Sequence, residues 1–599
     1  MRIAVLVKQI PRFEEMELGA DGRLRRDGID LELNPYCRRA ISQAVELASA
    51  CAAGARVTVI TLGPPAAEDA LREAIAWGLE RAVDIRGVLV TDPAFAGSDT
   101  LATARALAAT LEHEGPFDLV LTGRNSVDAD TGQVGPELAE LCDLPFLTGV
   151  RHLAIDDTLV AARCEHDDGW LQAEVHLPAI LSCAERLIEP AKVDPPRRAA
   201  VPADRIRHLR ASDLGPGPWG QAASPTTVGT IRVMAVTRVR QHWPGAPLAE
   251  QARAAVRLLH ERGAFHHAPE SADTDEAVAP ARRGPTPDAP RTIVLAEPDR
   301  PHDTRELLGA AAALTGNVLV VTCETPDAGR LSSWGADAIV HLDGENVEED
   351  VARAVMQLAR RAQPWAILTG STAWGREVAS RVAAQLGAGL TGDAVDLERV
   401  DDRLVAWKPA FGGQLVAAIH CASVVQMATV RAGVLPTRSP REPAGDADTT
   451  STETVPLAAR GRIRVIARAR DDDLDVLAEA RTVIGVGVGV PPDAYDEIEP
   501  LRALLGAQLG ATRKVTDRGW LPRSRQVGIT GRSIAPRLFV SIGASGKFNH
   551  TIGLRASGTV LAINADASAP IFDAADAGIV GDWRAVLPLL VEQLRAARA

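Results

Sequence analysis

PRLFVSIGASGKFNH, residues 536–550, runs from an apolar stretch into two nearly side-chain-free turns, then a lysine, an asparagine and a histidine. A short aliphatic run bounded by glycine reads as a strand buried on both faces, as in parallel sheets covered by helices. In such sheets ligands sit at the carboxyl ends of the strands, so the glycine turn falls where a ligand would bind. Gly543, Ser545 and Gly546 make a nest-like turn whose backbone N–H groups can approach a pyrophosphate with no Cβ in the way. Without a ligand, the same residues would serve as an ordinary strand-to-helix turn.

Working outward, the same grammar recurs three times. RIAVLVKQ, ARVTVITLG, VDIRGVLV and FDLVLTG alternate with alanine-rich amphipathic stretches in the first part. TIVLAEP, NVLVVTCE, AIVHLDG and WAILTGS do so from residue 292, and RTVIGVGVG, RLFVSIGAS and GTVLAINAD do so near the end. Strands alternating with helices predict doubly wound parallel sheets, three of them. Two aperiodic stretches rich in proline and charge, 264–291 and 437–456, read as a linker and a hinge. The expected domains are thus 1–225 with an arm at 226–263, then 292–436, then 457–599, the last pivoting on 437–456.

A chain of 599 residues exceeds one hydrophobic core, so several domains are expected. With 46% hydrophobic and 24% charged residues it has the composition of a globular protein, and its longest apolar runs are too short to span a bilayer. The start MRIAVLVKQIP shows no basic leader, which predicts a cytoplasmic protein. Seven cysteines without CxxC spacing predict neither a disulfide frame nor a metal site. A net charge of -13 with dispersed arginine predicts no nucleic-acid partner.

The loop TGRNSVDADTGQVGPELAE, 122–140, follows a strand and leads into a helix, with Asp128, Asp130, Thr131 and Gln133 close together. Alone it reads as a capping turn. LNPYC and TLGPP supply two more turns at the same sheet edge, which together suggest a nucleotide-sized pocket.

VKQIP, LNPYC, VITLGPP, DTLATA, the 122–140 loop and LPAIL, in this order, resemble the β subunit of the electron-transfer flavoproteins. TGSTAWGREVASRVAAQL, KPAFGGQLVAAI, QMATVRAG and the region 509–582 resemble the α subunit of the same family. The chain thus resembles a β–α fusion, a self-contained pseudo-heterodimer. The resemblance implies FAD in the last unit and either AMP or a second FAD in the first, DADTGQVGP and GSDTLATA leaning to the second flavin. It implies FAD contacts from Thr512 and Arg513, the latter over the flavin ring, and from Gln526, Val527, Gly528, Ile529, Thr530 and Gly531. It also implies contacts from Ser545, Gly546, Lys547, Phe548, Asn549 and His550, with Asn564, Asp566, Asp582 and Trp583 around the adenosine half. His550 is expected at the pyrimidine end of the ring, where a cationic or hydrogen-bonding imidazole stabilises negative charge.

For the first unit the implied contacts are Leu6, Asn34, Pro35, Tyr36, Cys37 and Leu62, then Gly123, Arg124, Asn125, Ser126, Val127 and Asp128. Asp130, Thr131, Gly132, Gln133 and Val134 complete that set. Ile529, Lys547 and Val488 depart from the family pattern, and AKVDPPRRAAVP, 191–202, lacks its docking residues, with Pro195 at a leucine position. Three functions follow: a carrier taking electrons from flavin dehydrogenases to a quinone-linked or other acceptor, an NADH-oxidising bifurcating flavoprotein, or a redox-silent adenine-nucleotide module. The resemblance implies no catalytic residue.

Overall fold

Strands made wholly of buried residues, such as Thr292–Ala296, Ala366–Gly370 and Leu538–Ile542, organise the molecule. Such strands are stable only when helices cover both sheet faces, and the fold is α/β with several parallel sheets. The computed structural model describes residues 1–11, 30–51, 54–233, 238–265, 289–410, 415–441, 450–470, 476–477, 480–528, 531–532, 534–554 and 557–598. Among these residues no helix is long and apolar enough to cross a membrane.

The first sheet is parallel from Ile206–Leu209 through Ile85–Val90, Arg56–Leu62, Arg2–Leu6, Leu119–Gly123 and Ala179–Cys183 to Phe146–Asp156. It then turns antiparallel through Leu159–Glu165 and Gly169–His176. Local signals set the helices. Pro35 opens Pro35–Ala50, where its missing N–H costs nothing, and Asp99 caps Thr100–Glu114 by accepting from the Ala102 N–H at 2.9 Å.

The units are not separate beads. Ile463–Arg470 pairs antiparallel with Gly169–His176 and so becomes the last strand of the first sheet. Thr226–Val233 pairs antiparallel with Leu415–Cys421 of the second unit. Gln241–His242 joins the last unit's sheet beside Ala577–Val580. The arm helix Leu248–Glu261 buries Ala252, Ala255, Val256 and Leu259, one helical stripe, in the core that holds Val586, Leu590 and Leu594. Burying Val256 and Leu259 contributes roughly 1.5–3 kcal/mol each.

Two expected boundaries are corrected here. The segment 437–456 is not simply a hinge: Ser451–Pro456 is the edge strand of the second unit's sheet, parallel to Ala338–Asp343. Arg441 is buried, with its guanidinium 3.0 Å from the Asp337 carboxylate. Edge pairing uses backbone N–H and C=O groups, so a stretch with almost no apolar side chains still forms a strand. Nor does the last unit begin at 457, since its own sheet starts with Thr482–Val486. Residues 442–449, and 266–288 of the linker, lie outside the described residues.

Candidate functional site

At the carboxyl edge of the first sheet the chain leaves Arg2–Leu6 on one side of a topological switch and Leu119–Gly123 on the other, where a ligand crevice is expected. A cavity of about 480 Å³ opens there. Of the residues expected around it, Leu6, Asn34, Cys37 and Leu62 line it, as do Gly123, Arg124, Asn125 and Ser126 and the run Thr131, Gly132, Gln133 and Val134. Asn34 holds the loop in place: its Nδ2 donates to the Asn125 carbonyl at 2.9 Å and its Oδ1 accepts from the Val127 N–H at 3.3 Å.

Pro35, Tyr36, Val127, Asp128 and Asp130 are not on the wall of that cavity. Pro35 opens a helix, Val127 donates its N–H to Asn34, and Asp128 accepts from Lys8 Nζ at 2.8 and 2.9 Å. Burial pushes the Asp128 carboxyl up, but the Lys8 ammonium outweighs it and the net shift is downward. Asp130 and Tyr36 face a second cavity of about 90 Å³, which shares Arg124 and Asn125 with the first.

The larger pocket is composite. Leu390, Thr391, Gly392, Lys408 and Ile419 of the second unit close it, and Gln133 Nε2 donates to the Leu390 carbonyl at 3.3 Å. Lys8, Ser98, Thr100 and Thr103 also line it. VKQIP, GSDTLATA and KPAFGG carry several of these residues, so the signal was present, but nothing in sequence spacing shows two units sharing one wall.

The second unit has the same switch point, between Thr292–Ala296 and Ala366–Gly370. There only Ser371 and Thr372 separate strand from helix, where the first unit inserts residues 124–133. Side chains narrow the crevice, which opens on the cavity of about 90 Å³ beside Ser371, Thr372 and Arg376. Thr372 Oγ1 donates to Glu297 at 2.5 Å, Arg300 lies 3.1 Å from Glu297, and Asp167 of the first unit accepts from the Ala373 N–H at 2.6 Å. Asp167 thus occupies the anion position of a helix start. Burial raises its pKa, but Arg124, Arg300 and the Ala373 N–H hold it well below the usual carboxylate range.

A carboxylate depressed in the fold adds stability above its unfolded pKa, and that stability is lost as pH falls through the folded value. Asp167→Asn is expected to cost about 1–2 kcal/mol at pH 7, a third of the side chain being solvent-facing, and progressively less in acid. Denaturant titrations at pH 7 and pH 3 check this.

In the last unit the sheet runs Gln508–Ala511, Thr482–Val486, Leu538–Ile542, Thr559–Asn564, Ala577–Val580, with its switch between Thr482–Val486 and Leu538–Ile542. The turns after those two strands pack directly on each other. Gly487 N–H donates to the Ile542 carbonyl at 2.8 Å and Gly489 N–H to the Gly543 carbonyl at 3.2 Å. A Cβ on Gly487 would strike the backbone of Gly543 and Ala544, and Gly543 and Gly546 have φ of 63° and 74°. Trp583 fixes this arrangement by donating from Nε1 to the Gly489 carbonyl at 3.1 Å.

His550 is buried, its Nδ1 2.9 Å from the Val527 carbonyl, and its Nε2 has no hydrogen-bond partner among the described residues. Since a carbonyl only accepts, Nδ1 carries the proton, and burial lowers the pKa. The imidazole is thus neutral near pH 7 rather than cationic, with a bare acceptor nitrogen.

Other expected flavin contacts are placed as follows. Thr512 precedes the short helix that begins at Arg513. The Arg513 guanidinium points at the first unit, 3.9 Å from Glu185 and over the Tyr36 ring at 5.8 Å. Gln526 accepts from Thr516 Oγ1 at 2.7 Å, Gly528 N–H pairs with the Arg532 carbonyl, and Gly531 lines the smaller cavity. Ser545 and Lys547 are exposed, and Gly546 is buried. Asn564 donates to the Ala544 carbonyl at 2.8 Å and accepts from Asp566 N–H at 2.9 Å, bracing the turn, while Asp582 caps the last helix through Arg584 N–H at 2.8 Å. Ile529, Thr530 and the side chains of Phe548 and Asn549 lie outside the described residues.

Comparison with known proteins agrees with this layout. The profile described as electron transfer flavoprotein domain matches residues 21–204 and again 300–459, and the electron transfer flavoprotein FAD-binding domain matches 476–555. Relatives include the electron transfer flavoprotein subunit alpha of Thermoanaerobacterium thermosaccharolyticum, 37% identical over 44% of this chain and 82% of the relative. That of Mycobacterium tuberculosis is 37% identical over 49% of this chain and 93% of its own length. The lactate dehydrogenase (NAD(+),ferredoxin) subunit LctC of Acetobacterium woodii is 33% identical over 49% and 73%. Two copies of the family's domain, then its FAD-binding domain, in the order the sheets occur, place this chain in the electron transfer flavoprotein family.

Proposed function

We propose that the chain is a β–α fusion that accepts electrons from flavin dehydrogenases into FAD held by its last unit and delivers them to a quinone-linked or other redox acceptor. The observation that carries this reading is the pair of interlocked glycine turns at the last sheet's switch point, with the orphaned, buried His550 Nε2 nearby. Glycine turns held backbone against backbone at a switch point and a buried nitrogen lacking a partner both fit a bound cofactor. The turn at Gly546 suits a pyrophosphate, the Gly487 and Gly543 N–H groups being used to lock the turns onto the Ile542 and Ile563 carbonyls, and bound FAD would supply the redox chemistry. His550 would meet the ring at Nε2, where negative charge favours taking up a proton, while the Val527 carbonyl keeps the other nitrogen protonated. The duplicated family domain supports the fusion. Donor docking departs from the family at residues 191–202, so the donor class is the open term of this proposal.

A second reading rests on a specific observation. The smaller cavity lies against the larger, the two sharing Arg124 and Asn125, so further space adjoins an AMP-sized ligand. A second FAD there, with NADH as donor, accords with the likeness to the Acetobacterium woodii subunit. Anaerobic reduction followed at the flavin band tests both. Bleaching by a substrate-charged flavin dehydrogenase but not by NADH supports the carrier, and direct bleaching by NADH supports the second reading. A protein that stays colourless after FAD addition would leave only a redox-silent nucleotide module.

A further inference from the structure

We infer that Lys408, carried in from the second unit, is the phosphate-binding cation of the first unit's nucleotide pocket. This rests on the reading of that pocket as an adenine-nucleotide site. Lys408 lies on the strand Arg403–Ala410, is nine-tenths buried and lines the pocket. Its Nζ donates to the Gly392 carbonyl at 2.8 Å. Gly392 faces Gln133 and Thr131 so closely that a Cβ on it would lie 2.9 Å from Gln133 Nε2 and 3.6 Å from Thr131 Cα. The ammonium therefore sits beside the start of the helix Val134–Leu141, whose first turn has no side-chain cap.

Charge balance supplies the second, independent argument. The charged groups acting on Lys408 are Asp393 and Asp130 on one side and Arg376 and Arg431 on the other. Asp393 is already shared by Arg431, which bonds it through two nitrogens, and by Arg376 at 3.7 Å. Burial pushes the Asp130 carboxyl up and weakens it as a counter-ion. Lys408, the most buried of these three cations, thus shares Asp393 with two arginines and faces a weakened Asp130, while Arg376 also acts on Asp167. A buried ammonium whose carboxylates are shared or weakened, beside an uncapped helix start at the end of a largely apolar pocket, suits a phosphate with the adenosine in the apolar part. The apolar lining residues alone would hold adenosine and AMP about equally.

Burial lowers the Lys408 pKa to about 8, with the two arginines acting the same way and the two carboxylates opposing. A bound phosphate would raise it again, so AMP affinity should fall about ten-fold between pH 7 and pH 9 as the free ammonium loses its proton.

The test is calorimetric titration of the full chain, freed of exchangeable nucleotide, with AMP and with adenosine. Lys408→Met is expected to weaken AMP about 10- to 100-fold, leave adenosine within about two-fold and abolish the pH dependence. Lys408→Arg should bind AMP within about five-fold of the parent and without the fall toward pH 9, because arginine does not titrate there. AMP binding unchanged in Lys408→Met, or adenosine weakened as much as AMP, overturns the inference. Should Lys408→Met not fold, a pH profile in Lys408→Arg identical to the parent's overturns it equally. A parent that binds adenosine and AMP at no concentration fails the nucleotide reading itself, a separate result from a parent that binds both and a variant that does not differ.

Discussion

Gly546→Val and Gly487→Val are each expected to leave the purified protein with less than about a tenth of the parent's FAD, while any adenine nucleotide of the first unit is retained. The Cβ of residue 546 would collide with the backbone of Ile571, and that of residue 487 with the backbone of Gly543 and Ala544. Neither collision can be relieved by turning a side chain. At 546 the left-handed φ of 74° adds about 1–2 kcal/mol for any residue with a Cβ. The turns must therefore separate, and the backbone N–H groups at the switch point no longer converge. The ratio of flavin absorbance to protein, with circular dichroism to show that the sheets persist, measures the effect. Variants that retain full FAD would show that the cofactor does not depend on these turns.

Arg381→Met is expected to destabilise the joint between the halves by about 3–5 kcal/mol. Arg381 is fully buried, 3.1 Å from Glu377 and 3.3 Å from Glu140 of the first unit. Removing the guanidinium leaves the buried Glu377 carboxyl without its counter-charge, while the part-exposed Glu140 keeps the Gln385 amide. Burial already pushes the Glu377 carboxyl up, and loss of Arg381 pushes it further. A carboxyl raised in the fold above its unfolded pKa destabilises increasingly as pH rises, so the variant should be weaker at pH 8 than at pH 6. Adding Glu377→Gln should recover much of the loss. Urea unfolding at the two pH values reads both effects, and equal losses at pH 6 and pH 8 would remove Glu377 from the account.

Much of the architecture was legible because fully apolar runs such as LFVSI and AILTG have few alternatives to a buried parallel strand. The glycine turns were legible for a related reason, since SIGASG follows such a run directly. Strand exchange was not. Ser451–Pro456 is mostly polar and Ile463–Arg470 turns Arg464, Arg468 and Arg470 outward, and their pairing depends on backbone groups of distant strands that composition does not reveal. The antiparallel extension Phe146–His176 was equally hidden, although turns at DDT and HDDG punctuate it. In the first-unit loop, residue type pointed to Asp128 as a ligand contact, yet Lys8 claims that carboxylate. Arg513 was expected over the flavin ring, and its guanidinium instead reaches Glu185 and Tyr36 of the first unit. Contacts between units decide such cases, and they have no local signature.

The central claim is that one chain holds FAD in its last unit and a separate adenine nucleotide in the pocket its first two units share. Denaturing the purified protein and quantifying the released nucleotides per chain tests it most directly. The account predicts one FAD with one AMP, or two FAD, and predicts that Gly546→Val removes one FAD and nothing else. Release of no flavin, from a protein that also takes none up, would contradict it.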